Sequence, residues 1–182
     1  IAGAMTEPLA CTVLGVIELT RIHAGDVVVV TGPGAIGLMS AQLAKAEGGT
    51  VVVIGTGVDE QRLKKAKELG AQYTVNLDKE SPNELIQDLT KGYGADVILE
   101  CSGAAPAVPL GFDLVRKQGS FTQIGLFGKP LTIDFERIAY KELRVIGSLS
   151  HRWTTFEKAL QLMSEDKVRV KPLVSDVLPL SQ

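Results

Sequence analysis

The chain has 182 residues, 45% of them apolar and 22% charged, and a net charge of −2. That is about one domain of sequence with ample material for a core, which excludes a disordered chain. Charges of both signs are interspersed and no basic run occurs, which argues against nucleic acid or a polybasic membrane surface as partner. Cys11 and Cys101 are far apart and form no Cys-x-x-Cys pair, so a disulfide framework or a self-contained cysteine zinc site is not expected. No apolar stretch reads as long enough to cross a bilayer, and no signal-peptide pattern opens the chain, so a cytoplasmic protein is expected. The chain begins at Ile1 without an initiator methionine and ends at Gln182 without a terminating element. It reads as one domain, 1–182, excised from a larger protein.

Strand-like and helix-like segments alternate, as in an α/β fold with a parallel sheet. The run Asp26-Val27-Val28-Val29-Val30-Thr31 is β-branched and uninterrupted, as befits a strand buried on both faces. A helix over 35–47 follows, with Ile36, Met39 and Leu43 on one face. Gly48-Gly49 breaks it before a second strand at 50–54, and Asp59–Leu69 is a helix ended by Gly70. A short third strand spans 72–76. Ser81-Pro82-Asn83-Glu84 then has the form of a helix start: a serine N-cap, a proline at the first position and an early acid. Asp96–Glu100 is the fourth strand, a helix spans 106–117, and strands five and six fall at 120–124 and 144–148. A short amphipathic segment lies near 135–140, and a last helix spans 155–164. Six strands with crossover helices on both faces make the doubly wound sheet of a Rossmann fold, in the order 3-2-1-4-5-6.

In such a sheet a ligand lies beyond the carboxyl ends of the strands, at the switch point between the first and fourth. After the first strand comes Gly32-Pro33-Gly34-Ala35-Ile36-Gly37. Gly32 permits the tight turn, Gly34 lets a pyrophosphate approach the backbone, and Gly37 lets helix and strand pack closely. The helix N-terminus then offers free N–H groups and a positive dipole end to the anion. A glycine pattern alone is weak, but a buried strand before it and a helix after it are the context it requires. Gly55-Thr56-Gly57 after the second strand, Cys101-Ser102-Gly103 after the fourth and Gly125-Leu126-Phe127-Gly128 after the fifth reach the same edge. Together they suggest a groove for an extended cofactor.

The end of the second strand carries neither the acid that favours NAD nor the arginine that admits NADP. Asp59 and Glu60 fall a few residues late, and Arg62 reads as a solvated helix residue. Cys101 reads as a small groove residue rather than a nucleophile, His23 as a loop residue, and His151 as a rim residue that either packs or contacts a ligand.

Glu7-Pro8-Leu9-Ala10, Ala24-Gly25-Asp26-Val27, the glycine turn, Ala66-Lys67-Glu68-Leu69-Gly70-Ala71, Glu100-Cys101-Ser102-Gly103 and Ile146-Gly147-Ser148 occur in one order. Over nearly the whole chain this resembles the zinc-dependent medium-chain dehydrogenases, in the branch of sorbitol, other polyol and threonine dehydrogenases. The resemblance implies the cofactor-binding domain of an enzyme that moves a hydride between an alcohol or polyol and NAD, with NADP as the alternative. It implies that the nicotinamide carboxamide is fixed by backbone around Ile124, Gly125 and Leu126 and around Ser148, Leu149 and Ser150. Glu7 stands at the position that contributes to the catalytic zinc; the other ligands belong to a lobe this chain lacks. Zinc is therefore expected in the intact protein and not in this chain, which alone should bind cofactor without catalysis. The sixth strand is expected to join a homodimer or homotetramer. A zinc-free quinone-oxidoreductase-type reductase and a nucleotide-sensing module are the competing readings.

Overall fold

The four consecutive valines fall into one strand, and their side chains alternate between two separate cores. The computed structural model describes residues 2–179 and 181. Strand β1 (Val27–Thr31) is buried throughout. Val28 and Val30 point into one apolar cluster, Val27 and Val29 into the other. This is the alternation expected of a central strand covered on both faces. β2 (Thr50–Gly55), β3 (Tyr73–Asn76), β4 (Ala95–Glu100), β5 (Val115–Gln123) and β6 (Arg144–Gly147) complete a parallel sheet, ordered β3-β2-β1-β4-β5-β6 as predicted.

Helices α1 (Thr6–Val13), α2 (Ala35–Ala46) and α3 (Glu60–Glu68) feed the first core. Helices α4 (Pro82–Thr90) and α5 (Ala107–Leu114) feed the second, where Phe112 and Phe121 meet edge to face with centroids 4.8 Å apart. α4 begins as its sequence implies, with the Ser81 hydroxyl accepting from Asn83 N–H at 3.3 Å. A short α6 (Glu136–Tyr140) precedes β6, and α7 (Trp153–Ser164) starts two residues earlier than expected and packs Ala159 and Leu162 into the first core.

Two elements depart from the expectation. The helix expected to reach residue 117 stops at Leu114, and β5 starts at Val115 rather than at residue 120. The cause lies downstream: Lys141 donates its ammonium to the carbonyls of Phe112, Asp113 and Val115 at 2.6, 3.1 and 2.7 Å. That cation closes the helix C-terminus. Arg116 then pairs with Asp96 at 2.6 Å, drawing the new strand to β4.

The second departure is at the N-terminus. Ala2–Thr20 is one continuous helical run that passes through 3-10, α and π pitch; Glu7 reads in sequence as an acid at a helix start, but the 19-residue extent of the element does not. By length and composition it could cross a membrane, which corrects the expectation that no such stretch exists. In the fold, Leu9, Ala10, Val13 and Val16 are fully buried against α2 and α7, so the helix serves as a core element. Among the described residues β6 borders only β5.

Candidate functional site

The carboxyl ends of β1, β2, β4 and β5 bring the four small-residue turns together. Gly32 adopts φ +86°, and a Cβ there would lie 2.6 Å from that of Ser102, so only glycine serves at this crossing of the β1 and β4 turns. Its N–H bonds the Ile54 carbonyl at 2.9 Å. A Cβ on Gly37 would run into the Gly32 carbonyl oxygen, so that glycine sets how closely α2 approaches its strand. Gly34 is different: no atom lies within 4 Å of the place its side chain would take. It caps α2 in an extended conformation, with Ala35 and Ile36 in the first turn. The helix N-terminus therefore opens onto free space that a backbone-hugging anion can reach.

Beside it a cavity of about 220 Å3 is lined by Gly32, Gly55, Thr56, Asp59, Ser102 and Leu110, among others. A larger hollow of about 350 Å3 at Met163–Pro172 brings in no strand end and shares no residue with these turns. The strand ends mark the former as the candidate site. Asp59, late in the sequence, folds back in space: its carboxylate accepts from Thr56 N–H at 3.1 Å and from the Thr56 hydroxyl at 3.2 Å. Arg62, read as solvated, is exposed but pairs with the other oxygen of Asp59 at 3.1 Å.

A carboxylate holds the centre of the rim. Glu100, at the end of β4, is fully buried. It accepts from the Ser102 hydroxyl, from Ser102 N–H at 2.8 Å, from Gly103 N–H at 3.1 Å and from the Gln123 amide at 2.5 Å. Thr31 adds a fifth donor at 3.2 Å. This network, which replaces the hydration a buried carboxylate loses, ties the β4 turn to β1 and β5. Sequence reasoning passed over Glu100 as a site residue because a strand-end acid gives no sign of burial. Cys101 lies behind the rim, with its thiol 3.6 Å from Ser40 and pushed up to about 12 by burial. An inert packing role follows.

On the β5–β6 side, the N–H groups of Ile124 and Gly125 both bond the Glu100 carbonyl, at 2.9 and 2.8 Å, and Ser148 N–H bonds Gln123 at 2.9 Å. Leu126 and Leu149 are exposed, as is Trp153, and Ser150 holds a left-handed turn at φ +65°.

The far end of the rim holds a group of side chains. Glu7 and Cys11 sit four residues apart on α1, and the thiol donates to the Glu7 carboxylate at 3.2 Å. His151, from the loop between β6 and α7, places Nδ1 3.4 Å from the same oxygen. One donor atom from each of the three lies within 4.8 Å of the others. Burial, reinforced by Glu7, pushes the Cys11 thiol up to about 11. Thiol, imidazole and carboxylate are donor types that zinc accepts, and Glu7 among them is the one residue that the sequence resemblance assigns to the metal. His23, the other histidine, stays in an exposed loop.

Residues 35–165 match the zinc-binding dehydrogenase family. Sorbitol dehydrogenase of Halalkalibacterium halodurans is 50% identical over 182 residues, covering 100% of this chain and 53% of the relative. D-arabitol-phosphate dehydrogenase of Enterococcus avium is 37% identical over 181 residues, covering 99% and 51%. Among solved structures, a candidate zinc-binding dehydrogenase from Sinorhizobium meliloti 1021, bound to NADP, superposes with a TM-score of 0.85 at 31% identity, covering 96% of this chain and 52% of that one. The chain spans about half the length of the curated relatives it matches. With its glycine turn, switch-point cavity and six-stranded parallel sheet, the chain belongs to the zinc-binding dehydrogenase family, as the cofactor-binding domain.

Proposed function

We propose that this chain binds a nicotinamide dinucleotide along the rim, as the cofactor-binding half of a zinc-dependent alcohol or polyol dehydrogenase. The observation that carries this reading is the open space at Gly34, where the α2 N-terminus meets the groove between Gly32, Gly55 and Ser102. The pyrophosphate is assigned to that N-terminus, and the adenosine to the cavity between Thr56 and Leu110. The nicotinamide is directed toward Ile124–Leu126 and Ser148–Ser150. There the N–H groups of Ile124, Gly125 and Ser148 already have partners, so the ring is assigned to the backbone groups of Leu126, Leu149 and Ser150 and to the exposed side chains of Leu126 and Leu149.

When bound, the nicotinamide supplies a hydride acceptor and zinc a Lewis acid for the alcohol oxygen. This chain's own contribution is to hold the dinucleotide in register and to present Glu7 toward the metal. By itself it is expected to bind cofactor without turning over alcohol. NAD is the favoured cofactor, because the Asp59 carboxylate lines the adenosine cavity and would repel a 2′-phosphate. Arg62, bound to that carboxylate, softens the preference. The exposed β6 edge supports pairing with a second copy, as a homodimer or within a homotetramer. The two free thiols accord with a cytoplasmic location.

The test is calorimetry of NAD with the wild type and Gly34→Val. Wild-type binding abolished or weakened about a hundredfold in the variant, or about 2.7 kcal/mol, supports the reading. Equal affinities overturn it.

A further inference from the structure

We propose that Asp78, in the turn after β3, is a determinant of cofactor choice: its carboxylate claims a backbone N–H beside the adenosine cavity and turns away a 2′-phosphate. The inference deepens the dinucleotide reading and rests on it. Asp78 stands 21 residues past Gly57, well beyond the end of β2 where sequence reasoning looks for such a residue.

The turn after β2 carries three donors close to the cavity: the Thr56 N–H, the Thr56 hydroxyl and the Gly57 N–H. Carboxylates hold all three. Asp59 Oδ2 accepts from both Thr56 donors, at 3.1 and 3.2 Å, and Asp78 Oδ2 accepts from Gly57 N–H at 2.9 Å. The glycine makes room for that last contact, since a Cβ on Gly57 would lie 2.6 Å from the Asp78 oxygen. Asp78 is itself held by its own turn. Leu77, which lines the cavity, donates its N–H to the Gly55 carbonyl at 2.9 Å and so pins the β3 turn to the end of β2. The Asp78 N–H bonds Oδ1 of the buried Asn76 at 3.0 Å. Lys79 and Glu80 both donate their N–H groups to the Asn76 carbonyl, at 2.9 and 3.0 Å.

The two acids differ in charge balance. Asp59 closes the capping box of the Gly57–Asp59 turn and is paired with Arg62 at 3.1 Å. Asp78 has no such cation among the described residues, and the neighbouring Lys79 reaches Glu60 instead, at 3.4 Å. A phosphate monoester carries about −1.5 to −2 charge at neutral pH. It would meet the uncompensated Asp78 carboxylate at the very N–H it needs. The ribose hydroxyls of NAD carry no charge and can donate to a carboxylate.

Parallel calorimetric titrations of the 182-residue chain with NAD and NADP test this, read as the ratio of the two affinities. Asp78→Asn keeps an oxygen for the Gly57 N–H and removes only the charge, so the ratio should move toward NADP at least about fivefold. Asp78→Ala frees the N–H as well and should move it further, whereas Asp78→Glu keeps the charge and should stay near the wild type. Raising the salt from about 0.05 to 0.5 M should shrink the Asp78→Asn shift, because a surface charge is screened. Asp88→Asn, an exposed site on α4, changes the net charge equally and should leave the ratio alone. An unmoved ratio in Asp78→Asn with NAD still bound overturns the proposal and spares the dinucleotide reading. An equal shift in Asp88→Asn or in Asp78→Glu overturns it too. Binding of neither cofactor by the wild type sinks the dinucleotide reading and the proposal with it.

Discussion

The two ends of the rim are built by opposite means. At the β1–α2 end the working surface is backbone: Gly32, Gly34 and Gly37 lie within six residues, and their spacing in the chain is their spacing in space. At the Glu7 end it is side chains, and the partners come from α1 and from a loop past β6, near opposite termini. A backbone site is local and is written in a motif. A side-chain site exists only once the sheet has brought α1 against α7.

The sharpest way to break this comparison is within the glycine turn itself. Gly37→Val drives a side chain into the Gly32 carbonyl, and we expect a stability loss of at least about 3 kcal/mol, read as a lower urea midpoint or failure to fold. Gly34→Val meets only open space, so its melting temperature should match the wild type while NAD affinity falls. If both variants unfold equally, the turn is structural throughout. Next in size is Glu100→Gln. It sets an amide nitrogen among donors from Ser102, Gly103 and Gln123 and should cost about 2–3 kcal/mol in chemical unfolding, the penalty of an unsatisfied buried donor.

Removing the Lys141 ammonium with Lys141→Met strips three carbonyls at the end of α5 and should cost about 1–2 kcal/mol in the same assay. The smallest effect concerns cofactor choice. With Asp59 and Arg62 both at the adenosine cavity, NAD and NADP affinities should differ by no more than about tenfold, or 1.4 kcal/mol, in parallel titrations. A preference for NADP beyond a hundredfold would mean that Arg62 leaves Asp59 for the phosphate.

What could be read from the residues divides along the same line. The valine run, the glycine turn and the Ser81-Pro82 start each encode a local geometry, and strand order followed from crossover rules. The end of α5 was misplaced because Lys141, more than twenty residues on, decides where that helix stops. Of the N-terminal helix only the start at Glu7 was read, although Leu9, Val13 and Val16 carry its periodicity further. Asp59 looked too late to serve the second strand, yet a turn of 3-10 helix at Gly57–Asp59 swings its carboxylate back onto Thr56. Cys11 was set aside for lack of a second cysteine nearby, a test of sequence spacing that cannot see His151.

Hydrogen–deuterium exchange with and without saturating NAD tests the central claim, that a dinucleotide lies along the rim. The account predicts slowed exchange in peptides covering residues 32–38, 55–59 and 101–104. It predicts none in α4, which lines neither the glycine turn nor the adenosine cavity. Unchanged exchange across residues 32–38 under saturating NAD would contradict it.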